Sequence, residues 1–214
     1  MPFPANYNPW ATDVAFKAVF EQIYHFTLVD ITRCYELWQL TQEVSDMKGS
    51  YMEVGVWRGG TSALIKAAAE GCRDPSPFYA CECFKGVVKA GQNDTFYKGG
   101  EHADCTQHGV ETLFKALKLK NIHILAGIFP EDTANQISKD EQFKLCHIDV
   151  DTYQSARDVV QWVWPRLVSG GILIFDDYGF KCCPGIAKLV NSFRQEPDRI
   201  VLHNLNGHGI VIKK

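Results

Sequence analysis

The chain has 214 residues, 46% of them hydrophobic and 22% charged, with a formal net charge of −3. That is enough for one domain with a buried core, spanning residues 1–214, and the composition is ordinary for a globular protein. The mild acidity and the lack of a dense Lys/Arg run exclude a general binder of nucleic-acid backbone; no apolar stretch nears the roughly 18 residues of a membrane span.

Residues 1–10, with prolines at 2, 4 and 9, are expected to be irregular. They hold neither a basic run nor an apolar core, so no signal peptide is expected and the protein is assigned to the cytoplasm. From about Thr12 to Gln42 the apolar spacing is helical and predicts two helices broken near Val29-Asp30, an N-terminal cap over 1–48. A strand at 51–55 then runs through a glycine turn into a helix at about 61–70, with Thr61 or Ser62 as its cap. Phe78 to Cys81 is a short strand ending at Glu82. Residues 86–106 form a polar loop on the substrate side. A helix follows from about Thr106 to Leu117, then a strand at 122–126 and a weakly helical stretch at 130–141. The strand at 144–148 ends at Asp149, and Tyr153 to Leu167 reads as a helix. The strand at 172–175 ends at Asp176-Asp177, and a helix covers Ile186 to Arg194. Two closing strands, 199–203 and 210–213, form an antiparallel hairpin around Asn206-Gly207. Apolar strands alternating with helices predict an α/β fold. The sheet is Rossmann-like, mostly parallel and seven-stranded, with helices on both faces and the hairpin at its end.

Eight cysteines are present without a CxxC pair, which predicts reduced thiols. Zinc at Cys182-Cys183 lacks a second pair at ligand spacing.

The chemistry is suggested by where the acids fall. Glu53, Glu82, Asp149 and Asp176-Asp177 each close a predicted strand, and in a parallel sheet those ends line the ligand crevice. Glu82 follows the glycine turn at the distance of a ribose-binding acid. Asp149, Asp176 and Asp177 offer only hard oxygen ligands, which favour Mg²⁺ or another hard divalent cation. The turn Gly55-Val56-Trp57-Arg58-Gly59-Gly60 lacks the middle glycine of a dinucleotide fingerprint. The carboxylate of Glu53 suits a cationic ligand such as S-adenosylmethionine better than a pyrophosphate. A nicotinamide-dependent reductase and a non-catalytic binding domain remain as alternatives.

Five stretches carry a further likeness: Glu53 to Ser62, Glu82 to Gly86, Gly127 to Thr133, His147 to Ser155 and Gly170 to Gly179. In this order they resemble successive motifs of the macrocin O-methyltransferase family, over about residues 50–195. The resemblance implies a class I methyltransferase fold, S-adenosylmethionine, a divalent metal and methyl transfer to a hydroxyl of a small molecule, a natural-product sugar or aromatic group. It places Glu53, Gly55, Trp57, Gly59, Thr61, Ser62, Glu82, Phe84, Gly127, Phe129, Asp132 and Asp149 at the cofactor. It places Asp149, Asp176 and Asp177 at the metal, with Asp151 and Tyr153 supporting them. The loop at 86–106 matches weakly, and acceptor recognition is expected there.

Metal-bound acceptor oxygens lose a proton more readily, and a general base completes the reaction. His102 is the candidate, with His108 and Lys98 as weaker ones; Asp149 is the second catalytic residue. His147 is expected to be a satisfied core residue, His203 and His208 to be incidental, and Trp57 and Tyr178 to flank the crevice. A homo-oligomer is an open expectation.

Overall fold

A computed structural model describes residues 7–214; the irregular start expected for residues 1–6 lies outside the described residues. Two helices precede the sheet, α1 (Val14–Ile23) and α2 (Ile31–Glu43). Each starts at an aspartate that accepts backbone N–H bonds from the first turn: Asp13 from Phe16, and Asp30 from Thr32 and Arg33. Then come β1 (Ser50–Val54), α3 (Gly60–Gly71), β2 (Phe78–Glu82), α4 (Gln107–Ala116), β3 (Ile122–Ala126) and β4 (Phe143–Ile148). The chain closes with α5 (Tyr153–Val163), β5 (Leu167–Phe175), α6 (Pro184–Ser192), β6 (Arg199–His203) and β7 (Gly209–Lys213).

The seven strands form one sheet in the order β3-β2-β1-β4-β5-β7-β6. The first five are parallel, and β7 runs antiparallel between β5 and β6. The chain winds outward from β1 on one side and from β4 on the other. The switch point therefore lies between β1 and β4, where ligands bind in such sheets.

Successive side chains of a strand face opposite sides, and this period of two sorts the core into two layers. Met52, Val54, Cys146, Ile148, Leu173 and Phe175 face α5 and α6. Tyr51, Leu145, Ile172 and Ile174 face α1 to α4. The same parity puts Glu53, His147 and Asp176 on the second face, beneath α2.

Three local expectations are corrected. The helix read as ending at Leu167 stops at Val163, because Pro165 supplies no N–H to a fourth turn; a short 3₁₀ turn follows and β5 begins at Leu167. Only Ala134–Gln136 of the 130–141 stretch coils, again as a 3₁₀ turn. Neither Thr61 nor Ser62 caps α3. Gly59 does, in the left-handed region (φ 91°), while the N–H of Gly60 donates to the carbonyl of Phe26 at 2.9 Å.

Gly55 is where the switch point tolerates no side chain. Its φ is +89°, and a Cβ there would stand 1.7 Å from the carbonyl oxygen of Asp149. The tips of β1 and β4 can touch only because that atom is missing. Gly55→Ala is expected to destabilise the fold by about 3 kcal/mol through backbone strain and displacement of β4. Urea unfolding checks this, and an unchanged midpoint would show that the two tips separate freely.

Candidate active site

The carboxyl ends of β1 to β5 open into one cleft of about 1220 Å³, mouth included. Gly55, Val56 and Trp57 line it after β1, Glu82 after β2, and Gly127 and Phe129 after β3. Asp149 and Asp151 follow β4, and Asp176 and Asp177 follow β5. Phe26, Leu28 and Val29, between α1 and α2, join Phe180 in an apolar wall.

Glu82 organises the cofactor-side turn. One carboxylate oxygen accepts from the amides of Val56 (2.9 Å) and Trp57 (2.8 Å), and the other from that of Phe84 (2.9 Å). Three N–H donors offset the burial of its charge. Around it the backbone is strained. Trp57, Phe84, His102 and Asp151 are four of the eight non-glycine residues with positive φ among those described. Such conformations cost of order 1–3 kcal/mol each and persist where the surroundings fix them. Trp57 is fixed from outside as well: its indole N–H donates to Asp104 at 2.8 Å, and Arg58 lies over its ring at 4.3 Å.

The remaining residues expected at the cofactor divide. Thr61 lines the cleft; Gly59, Ser62, Phe84 and Asp132 lie outside its lining. Asp132 shapes the cleft indirectly, accepting from the amide of Ile128 at 2.9 Å and so closing the turn that carries Gly127 and Phe129. Glu53 does not reach the cleft. Strand parity turns it into the sheet, where it is fully buried, accepts from the hydroxyl of Ser62 and meets Nδ1 of His147 at 2.6 Å.

Asp149, Asp176 and Asp177 each offer an oxygen, all within 4.8 Å of one another. Desolvation, then repulsion from Asp176 and Asp177, pushes the Asp149 carboxyl well above the usual range. Desolvation and Asp151 do the same to Asp177. Asp176 goes the other way: burial would raise it, but the neighbouring imidazoles of His147 and His208 hold it well below. Arg33 of α2 binds its second oxygen and stacks on Phe180 at 4.5 Å. His147 is fully buried. Burial alone would lower it, but Asp176 and Glu53 push it up to about 9. Its Nε2 lacks a hydrogen-bond partner and lies 3.6 Å from Asp176, so it is not the satisfied core histidine expected. His208 is not incidental either, since its Nε2 stands 3.0 Å from Asp176.

His102 lines the cleft, while Lys98, His108 and His203 do not. Nor does Tyr178, which is buried and donates to Asn191 at 2.9 Å. The amide of Asp151 donates to Asp177 at 2.9 Å, and that of Tyr153 to Asp94 at 2.9 Å. All eight cysteines are free; Cys183 approaches Asp177 at 3.5 Å. Sequence reasoning missed Arg33, Glu36 and Tyr97. Asp30, Arg33 and Glu36, spaced by three on one face of α2, were the available signal.

Residues 22–208 match the family model described as Macrocin-O-methyltransferase (TylF). The chain belongs to this family of S-adenosylmethionine-dependent O-methyltransferases and is an enzyme of that kind. Demethyldecarbamoylnovobiocin O-methyltransferase of Streptomyces niveus is 25% identical over 185 residues, 80% of this chain and 69% of its own length. The 8-demethyl-8-(2,3-dimethoxy-alpha-L-rhamnosyl)-tetracenomycin-C 4'-O-methyltransferase of Streptomyces olivaceus is 25% identical over 169 residues, 73% of this chain and 64% of its own. The solved O-methyltransferase NovP superposes with a TM-score of 0.73 at 23% identity, covering 88% of this chain and 82% of its own, which shows the shared fold. The family match sets aside the nicotinamide-dependent reductase. No helix among the described residues is long and apolar enough to cross a membrane.

The shifted groups fix a pH response. His147 stabilises the fold fully below its ordinary value of 6.5, and that contribution fades as the pH rises through about 9. Asp149 and Asp177, raised in the fold, act with the same sign, since the folded state holds their protons more tightly. In chelator, stability is expected to fall by about 3 kcal/mol between pH 6.5 and 9. Urea midpoints at the two pH values measure it; a flat profile would mean that His147 is neutral throughout.

Proposed function

We propose that this single domain transfers the methyl group of S-adenosylmethionine to a hydroxyl of a glycosylated or aromatic small-molecule natural product, with a divalent cation, Mg²⁺ first, held by Asp149, Asp176 and Asp177. The convergence of Glu82 and the three aspartates on one cleft at the switch point carries this reading. The two named relatives act on natural products, one of them bearing a rhamnosyl group.

The donor set fits the cation. It is all oxygen and compact, and the burial and mutual repulsion that raise the proton affinity of Asp149 and Asp177 are what a cation would relieve. The cradle fits the cofactor as well, with Gly55 bare of a side chain and Glu82 closing β2. When bound, S-adenosylmethionine supplies an electrophilic methyl on sulfur and the cation supplies Lewis acidity toward the acceptor hydroxyl.

The chain's own residues supply the rest. Glu82 and the turn at 55–57 orient the cofactor, and the wall of Phe26, Leu28, Val29 and Phe180 excludes water and seats the acceptor's apolar body. Orientation of this kind provides much of the rate in group transfer. The carboxylate of Asp149 and the imidazole of His102 are the receivers of the acceptor's proton, and both line the cleft.

Methyl transfer from radiolabelled S-adenosylmethionine to a panel of glycosylated and phenolic acceptors tests the reading. Chelator and Asp177→Asn are each expected to lower turnover at least about 100-fold while leaving cofactor affinity nearly intact. Full turnover in chelator sinks the metal. Glu82→Ala is expected to weaken S-adenosylmethionine binding by about tenfold or more, from the loss of charge-assisted hydrogen bonds. Calorimetry checks it; unchanged affinity would move the ribose elsewhere.

A further inference from the structure

Three nitrogen-bearing side chains converge on Asp176, and each is backed by a carboxylate of its own. His147 is backed by Glu53 at 2.6 Å, Arg33 by Asp30 at 2.8 Å and His208 by Glu36 at 2.6 Å. We propose that Glu36 and His208 are positioning residues, which act through Asp176 to set the affinity of the cleft for its divalent cation. This rests on the reading of Asp149, Asp176 and Asp177 as the cation's ligands.

The relay joins parts of the chain far apart in sequence. Glu36 lies on α2, His208 in the loop before β7, and Asp176 at the end of β5. Glu36 gathers the hairpin tip. It accepts from the side-chain amides of Asn204 and Asn206, the latter at 3.0 Å, as well as facing Nδ1 of His208. The tip is shaped for this. The amide of His208 donates to the side chain of Asn206 at 3.1 Å, and that of Asn204 to the carbonyl of His208 at 3.0 Å. With Nδ1 engaged by Glu36, Nε2 of the fully buried His208 is aimed at Asp176.

The strand pairing of the hairpin needs none of this. The β6–β7 register runs from Arg199↔Lys213 to His203↔Gly209 and stops short of residue 208. A buried polar chain that secondary structure does not require costs desolvation, so its geometry calls for another use. The geometry supplies one. Arg33 occupies Oδ2 of Asp176 and His208 occupies Oδ1. Nε2 of His147 stands 3.6 Å from the same Oδ1. Each carboxylate oxygen accepts in two directions, and an oxygen of Asp176 lies within 4.8 Å of oxygens of Asp149 and Asp177. The carboxylate plane is fixed before a cation arrives, and the cation need not freeze it. Partners behind a ligand typically change metal affinity by 10- to 100-fold when removed.

Calorimetric titration of the full chain with Mn²⁺ tests this, with S-adenosylhomocysteine titrated in parallel. Glu36→Ala is expected to lower the melting temperature by a few degrees, to weaken Mn²⁺ binding about tenfold and to leave S-adenosylhomocysteine affinity close to wild type. A merely structural role would weaken binding of both ligands together or of neither. Should alanine not fold, Glu36→Gln keeps the shape, removes the charge and is expected to weaken Mn²⁺ by at least about threefold. Wild-type Mn²⁺ affinity in the folded variant overturns the positioning role alone, provided Asp149→Asn abolishes binding. Mn²⁺ binding that is absent in the wild type, or indifferent to Asp149→Asn, overturns the cation site and the positioning role together.

Discussion

Asp176 ends a central strand with almost no exposure, and its charge is tolerated there because nitrogen groups meet both of its oxygens. An isolated buried carboxylate would take up a proton instead. The groups that prevent this come from β4, from α2 and from the loop before β7. Those elements are therefore tied to one atom pair at the bottom of the cleft. Moving any of them removes a partner from a buried charge, which costs far more than the same contact is worth at the surface. The N-terminal helices and the terminal hairpin are thus parts of the site as well as cover for the sheet.

Glu82 does for the opposite side of the cleft what the nitrogen groups do for Asp176, with the signs exchanged. Here a carboxylate is the fixed point and backbone amides are the movable parts. Trp57 and Phe84 are held in left-handed conformations by their bonds to it. A glycine would relax that strain, and an acid-free strand end would leave it unsupported. The strained turn and the acid form one unit, which presents Gly55 to Trp57 to the cleft in a single conformation.

Much of this was legible in the residues. Periodicity gave the order of helices and strands, because burial on two faces writes itself directly into apolar spacing. The acids at strand ends pointed to the cleft because a parallel sheet has only one such edge. What failed was the direction of side chains near those ends. Glu53 stands in the same motif as Gly55 and was assigned to the cleft, yet its parity with Tyr51 already assigned it to the α2 face. His147 pairs in register with Glu53 and shares that parity. His208 had no such signal. It precedes its strand, and its partner Glu36 is 172 residues away, so only the closed sheet brings them together. Pro165 was legible and overlooked, its missing N–H being enough to end α5.

The charge balance explains why such a cluster is poised rather than settled. Glu53, Asp149, Asp151, Asp176 and Asp177 stand close enough to repel one another, and Arg33 brings a permanent positive charge to Asp176. Raised proton affinity at Asp149, Asp151 and Asp177 is how the fold carries that excess. On the proposed reading, cation binding and proton release are then a single exchange, and affinity for the cation rises with pH until those protons are gone. Asp176 stands outside the exchange. The imidazoles of His147 and His208 hold its carboxyl below the usual range, so of the three aspartates it is the one that would meet a cation already ionised, while Asp149 and Asp177 would bind by exchanging a proton for it.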